Sequence, residues 1–293
     1  MSGPGATRPP GRARGLGRFL EIQMLGLNLP FALAFLLLAT DGRPALLTVA
    51  LIVIAFVAAR NAGHSFNRWA DRHLDARNPR TRARAIPAGK TSPGFALGLA
   101  AANAAVLVAA AYFLNPLAFL LAPVALAIVL GYSYTKRVTS FTTAFLGLAE
   151  AISPAAVYIA VGGTLPAVVL LAVGGLLAWG TAFETIHSLG DLESDRELGL
   201  FSVPLRWGVG RSVALVPILH AAALALLAAF GVELGLGPAY YVALGAMALL
   251  AAVTDLQLAR APTATRVPFY RHVALGLLYL AGVLGAVYLP IGR

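Results

Sequence analysis

Nine apolar runs, each long enough to cross a bilayer, leave this chain little choice of fold. They cover about residues 18–40, 44–68, 93–113, 116–135, 141–161, 165–188, 210–231, 238–257 and 269–289. A span needs roughly 17–25 mostly apolar residues. In lipid, every backbone N–H and C=O of a run must find its partner within that run, so each becomes an α-helix. The expectation is an all-α, polytopic membrane protein of nine helices. Only 12% of the residues are charged, about half the share usual for a soluble domain. Pro116, Pro166 and Pro238 stand at expected helix starts. Pro30, Pro123 and Pro154 fall inside spans, where they should kink a helix without ending it.

The basic residues orient the bundle. Arg8, Arg12, Arg14 and Arg18 precede span 1, and six more basic residues from Arg72 to Lys90 follow span 2. Lys136 and Arg137 follow span 4, Arg196, Arg206 and Arg211 follow span 6, and Arg260, Arg266 and Arg271 surround the last link. With nine spans all of these share one face, while the other face holds only Arg43 and Arg293. The positive-inside rule makes the basic face cytoplasmic, with the N-terminus inside. This placement accounts for the net charge of +10 without a nucleic-acid partner. Residues 1–17, rich in Gly, Pro and Arg, read as a disordered basic tail. Residues 18–293 read as a single membrane-embedded domain. The chain has no cysteine, which excludes disulfides, zinc-thiolate sites and thiol nucleophiles.

Two acidic motifs emerge on the basic face. One is NRWADRHLD at 67–75, the other GDLESD at 190–195. Each has an Asp-x-x-x-Asp core, Asp71/Asp75 and Asp191/Asp195, and the cores lie 120 residues apart. The offset of four spans suggests that spans 1–4 and 5–8 form a pseudo-repeat, with span 9 added. At 100° per residue, Arg60, His64, Asn67, Asp71 and Asp75 share one helix face, as do Glu184, His187, Asp191 and Asp195. Carboxylates are costly near lipid and need a partner or a task. Two facing sets suit Mg²⁺, which takes one or two carboxylates and commonly carries substrate phosphates. Asn67 adds a neutral oxygen donor. A lone Asp-x-x-x-Asp would favour carboxylates merely paired with surface arginines; two at matching helix ends favour metal binding.

Further residues join this reading. Among the link arginines at 76–90 and just before it, Arg72 and Arg84 are expected to meet phosphate oxygens, the rest to serve the surface. In YSYTKR, Tyr132 and Lys136 share a helix face; an interfacial Tyr and a snorkelling Lys are common without a function, but their place on the face of the Asp motifs favours a phosphate role for Lys136. Arg60 either satisfies Asn61 or a helix carbonyl or binds an anionic acceptor substrate. Glu184 stands three residues before His187, a pairing distance. Glu150 lies deep in span 5 with no evident partner. No Gly-rich phosphate loop with a trailing Lys-Ser/Thr and no nucleophile elbow is present, so ATP-driven transport and serine hydrolysis lack support.

These motifs resemble the UbiA superfamily of intramembrane prenyltransferases. NRWADRHLDARNPRTRARAIPAG resembles its first motif and the Arg-Thr-x-x-Arg-x-x-Pro-x-Gly link, ETIHSLGDLESDRELGLFSVPLRWG its second motif and tail, and YSYTKR its Tyr-x-x-x-Lys-Arg segment. The tail is most similar to the quinone branches, which include the 4-hydroxybenzoate polyprenyltransferases. Glu184 replaces an Asp common in the superfamily, and His187 stands where a Tyr is frequent; on this resemblance Arg60, Tyr132 and His187 are expected at the acceptor end. The resemblance implies nine helices around a central cavity, capped by the 2–3 and 6–7 links. It implies Mg²⁺-dependent transfer of a polyprenyl group from an allylic diphosphate to an aromatic ring carbon, with 4-hydroxybenzoate or a close quinone precursor as acceptor. Membrane lipids would surround the bundle and hold the donor's tail. Two rival readings are a non-aromatic acceptor such as a glycerol-phosphate lipid, and a cation-coupled transporter. Transporters place such residues near the bilayer midplane, whereas these lie at one edge.

Overall fold

A computed structural model describes residues 25–264 and 269–289; the expected tail at 1–17 and the start of span 1 lie outside them. The described residues form twelve helices and no strand. Nine are the long ones: α1 (Leu25–Ala39), α2 (Leu46–Ala70), α4 (Pro93–Leu114), α5 (Pro116–Thr135), α6 (Thr142–Gly162), α7 (Val169–Gly190), α10 (Val209–Glu233), α11 (Pro238–Arg260) and α12 (Phe269–Tyr288). Three short helices sit in the links: α3 (Arg72–Arg77), α8 (Leu192–Glu197) and α9 (Val203–Trp207). Eight of the long helices are long and apolar enough to cross a membrane; the described part of α1 is 15 residues.

Local chemistry sets the boundaries. Ser92 caps α4 by accepting from the Phe95 N–H, and Asn115 caps α5 by accepting from Ala118, each followed by a proline. Pro30, Pro123 and Pro154 lie inside continuous helices as expected. Pro166 differs. It precedes α7 by a turn, its carbonyl accepting from the Val169 N–H.

The long helices pack on their neighbours in chain order, and α12 closes the ring on α1. Helix α1 also packs against α6, dividing the ring in two. On the side of α7, α10, α11 and α12 the interior is solid. There Phe35, Phe230, Tyr240 and Tyr279 are fully buried with their rings in contact. On the side of α2, α4, α5 and α6 it is hollow. Helices α6 and α7 approach closely at Gly147, where a Cβ would come within 2.8 Å of the Thr181 backbone N; small residues permit such contacts between spans. Apolar side chains such as Leu47, Leu120, Ile218 and Val242 cover the outside. The chain is an integral membrane protein.

Candidate active site

Helices α2 and α7 end at the same end of the bundle, and both break in the same way. Asp71 follows α2 with φ −89° and ψ 2°, and Asp191 follows α7 with φ −102° and ψ 4°. At each break the chain re-enters a single turn, α3 or α8. The Asp71 N–H donates to Asn67 and the Asp75 N–H to Asp71; Asp191 donates to His187 and Asp195 to Asp191. The hydrogen-bond ladder is therefore kept while the axis turns. All four aspartates, with Asn67, Arg84, Lys136 and His187, line one cavity of about 290 Å³ between the two breaks.

The first pair is buried and heavily paired. Asp71 is 1% exposed and Asp75 5%. Lys136 Nζ lies 2.5 Å from Asp71 Oδ2, and Arg137 Nη2 lies 3.1 Å from Oδ1. Asn67 Nδ2 donates to Asp71 Oδ2 at 3.0 Å. Arg84 Nη1 lies 2.7 Å from Asp75 Oδ1. Asp75 Oδ2 is buried with no hydrogen-bond partner among the described residues. The second pair is more open. Arg80, from the link after the first motif, forks onto Asp191 with bonds of 2.9 and 2.7 Å. Burial, and then the neighbouring Asp191, push the Asp195 carboxyl up to about 6. The Phe201 N–H donates to the Lys136 carbonyl at 2.8 Å, tying the second motif's tail to α5.

A second chamber of about 330 Å³ continues from the first. Tyr132 and Leu146 line both. Its far part is aliphatic, with Leu114, Ala118, Leu121 and Ile159. Its near part carries a polar collar of Asn28, Arg60, His64, Tyr132 and Glu150. Each of these lies in the half of its helix nearer the acidic motifs. Beside the collar, Arg68 Nε donates to His64 Nε2 at 3.2 Å.

A UbiA prenyltransferase family model matches residues 28–274. The chain belongs to the UbiA prenyltransferase family. It is 33% identical to a 4-hydroxybenzoate octaprenyltransferase of Ralstonia nicotianae over 214 residues, 73% of each chain. A UbiA homolog from Aeropyrum pernix K1 superposes with a TM-score of 0.81 at 31% identity, covering 90% of this chain and 98% of that one. A UbiA homolog from Archaeoglobus fulgidus, solved with GPP and Mg²⁺, has the same fold at a TM-score of 0.73. It is 18% identical, covering 92% of this chain and 98% of that one.

In this UbiA member most of the expected site residues meet. Asn67, Asp71, Asp75, Asp191, Asp195, Lys136, Arg84, Tyr132 and His187 share the polar cavity, and Arg60 lines the adjoining chamber. Arg72 is the exception. It donates to the Trp69 carbonyl at 2.7 Å and stacks over the Trp69 ring, and it is not among the cavity's lining residues. On a helix that turns at Asp71, the next residue points back along α2. The expected Glu184–His187 pair is also absent: His187 Nδ1 donates to the Phe183 carbonyl at 3.0 Å. Arg80 and Arg137 hold aspartates that the motif spacing did not assign to them. Arg80 had a signal, standing four residues before Arg84 in the Arg-Thr-x-x-Arg link. Arg137, adjacent to Lys136, had none beyond its charge.

Proposed function

We propose that this chain transfers a polyprenyl group from an allylic diphosphate to a ring carbon of a hydroxylated aromatic acid, 4-hydroxybenzoate or a close relative. The observation that carries this reading is the continuous pair of chambers. One is lined by carboxylates and cations, the other is aliphatic, and the polar collar lies between them. A diphosphate head, an apolar tail and a small polar ring need those three environments in that order. The Ralstonia relative acts on 4-hydroxybenzoate by name, and the Archaeoglobus homolog was solved with a prenyl diphosphate and Mg²⁺, which supports the same reading.

The donor set fits a hard divalent cation. It is all oxygen, from Asp71, Asp75, Asp191, Asp195 and Asn67, and the unpartnered Asp75 Oδ2 is a lone pair ready for a ligand. Among the described residues no three acidic or histidine side chains already converge on one point; Asp71, Asp75 and Asp191 are each paired with a basic side chain instead. Bound Mg²⁺ would neutralise diphosphate oxygens and make diphosphate a better leaving group. Lys136, Arg84 and Arg80 line the cavity and meet the phosphate oxygens as negative charge grows there, the exposed Arg80 giving up its carboxylate partner most readily. Apolar walls around Tyr132 and Leu146 keep water from the allylic carbocation. Arg60 binds the acceptor's carboxylate from the collar, and Tyr132 and His187 shape its ring pocket. The protein's lipid setting lets a long tail stay in the membrane.

The matching breaks at Asp71 and Asp191 support spans 1–4 and 5–8 as a pseudo-repeat. The crowding of arginines and lysines at the motif end supports a cytoplasmic site with the N-terminus inside. The test is to incubate purified protein with Mg²⁺, geranyl diphosphate and a panel of phenolic acids, and to read products by mass. Mono-geranylated hydroxybenzoate is the expected product. Alkylation of a glycerol-phosphate acceptor alone would overturn the aromatic assignment.

A further inference from the structure

Glu150 is the one carboxyl lining the second chamber among the described residues, and nothing in the diphosphate chemistry uses it. It sits on α6 eight residues beyond Thr142, about 12 Å into the bundle from the motif end. Its only hydrogen bond among the described residues comes from Asn28 Nδ2, a long 3.3 Å contact to Oε1. No cation lies within salt-bridge distance of it among the described residues. A carboxyl has about four lone-pair sites, so one long bond leaves most of its capacity unused. The titratable groups that face it are Glu184 and His187 on α7 and Arg60 on α2. Room for the group is provided by a missing side chain: a Cβ on Gly180 would lie 2.9 Å from Glu150 Oε2. A carboxyl inside a membrane bundle is costly enough that an unspent one points to a function.

A purely structural role explains little. One long bond between α1 and α6 is a weak reason to place an acid in an otherwise aliphatic chamber, where it opposes the tail that the chamber suits. The collar offers a better reason. Arg60 presents a cation from α2 and Glu150 a hydrogen-bond acceptor from α6, both in the same chamber. A ligand that donates to Glu150 and lies within reach of the positive charge of Arg60 carries a hydroxyl and an anionic group.

We propose that Glu150 accepts a hydrogen bond from the ring hydroxyl of the aromatic substrate and thereby selects phenolic over etherified acceptors. The inference rests on the prenyl-transfer reading. Holding the hydroxyl fixes which ring carbon faces the donor, and a hydrogen bond to a carboxyl makes the phenol oxygen a stronger electron donor to that ring. A site built to receive a hydroxyl rejects the analogue that lacks it, because its own polar group is left without a partner.

The experiment compares 4-hydroxybenzoate with 4-methoxybenzoate, using geranyl diphosphate and Mg²⁺, in wild type, Glu150→Gln and Glu150→Leu. Wild type should favour the hydroxyl compound by about 100-fold or more in kcat/KM. In Glu150→Leu that ratio should fall to within about fivefold of unity, while the KM for geranyl diphosphate stays within about threefold of wild type. Glu150→Gln, which keeps the shape but offers a weaker acceptor, should lose about tenfold of the ratio; it decides the matter if the leucine variant does not fold. A ratio unchanged in the variants, with wild type active, overturns the role of Glu150 alone. A wild type that prenylates no hydroxylated acid overturns the prenyl-transfer reading beneath it.

Discussion

The two acidic motifs share a backbone and differ in electrostatics. Both begin at a break after a long helix, and both place their second aspartate one turn further on. Around the first, the protein supplies its own cations: Lys136 and Arg137 from the end of α5 and Arg84 from the adjoining link. Around the second, the cation is borrowed from the first motif's link, through an Arg80 whose side chain is 54% exposed. The first motif is thus a preformed, buried element. The second is a more open one, whose carboxylates change partners at smaller cost. A cavity with one fixed and one exchangeable wall suits a substrate that arrives as a charged head and leaves as diphosphate.

The largest expected effects come from the aspartates. Asp71→Ala and Asp191→Ala should each lower prenyl transfer by about 10³-fold, since each removes part of the charge stabilisation of the leaving group. Stability should separate them. Asp71→Ala strands two cations at a buried carboxylate site and should cost about 3 kcal/mol. Asp191→Ala releases a half-exposed arginine and should cost no more than about 1 kcal/mol. Thermal unfolding of the two variants in the same detergent checks this; equal losses would erase the contrast.

The next effect is on pH. Asp195 is raised to about 6, so it holds a proton below that pH and a cation must displace it. The Mg²⁺ concentration for half-maximal rate should rise about tenfold per unit as pH falls below 6, and should flatten above it. Asp195→Asn should remove that slope. The sign for folding is opposite. A carboxyl raised in the folded state opposes folding when charged, and that penalty is relieved as pH falls through about 6. Titrating rate against Mg²⁺ from pH 5 to 8 gives the slope directly.

Smaller effects concern the arginines. Arg80→Ala frees Asp191, so apparent Mg²⁺ affinity without substrate should increase several-fold, on the order of a one-charge surface pair. Calorimetric Mg²⁺ titration reads this. Arg72→Ala should change the rate by less than about threefold, as expected for a half-buried side chain that packs on Trp69 outside the cavity. A large loss in Arg72→Ala would restore the role that motif adjacency suggested for it.

Most of the architecture was legible because lipid permits so few solutions. Apolar length predicted the spans, and the basic links predicted which ends carry the motifs together. The site was legible where chemistry repeats: Asp71, Asp75, Asp191 and Asp195 declare themselves by spacing. What periodicity could not reach was the break itself. A continuous helix through Asp71 would aim Arg72 one way, and the turn at ψ near 0° aims it another. Partners across the bundle were hidden for a similar reason. Arg80 and Asp191 are 111 residues apart, and Asn28 reaches Glu150 across 122 residues. Ring closure brings such pairs together, and no local pattern encodes it.

On the proposed function, carboxylates of both motifs hold one metal–diphosphate unit between them. Anomalous diffraction from crystals grown with Mn²⁺ and a non-reactive prenyl thiolodiphosphate tests it most directly. Manganese should lie in the polar cavity, with carboxylate oxygens from α2–α3 and from α7–α8 around the same diphosphate. Manganese confined to one motif, or diphosphate bound away from both, would contradict it.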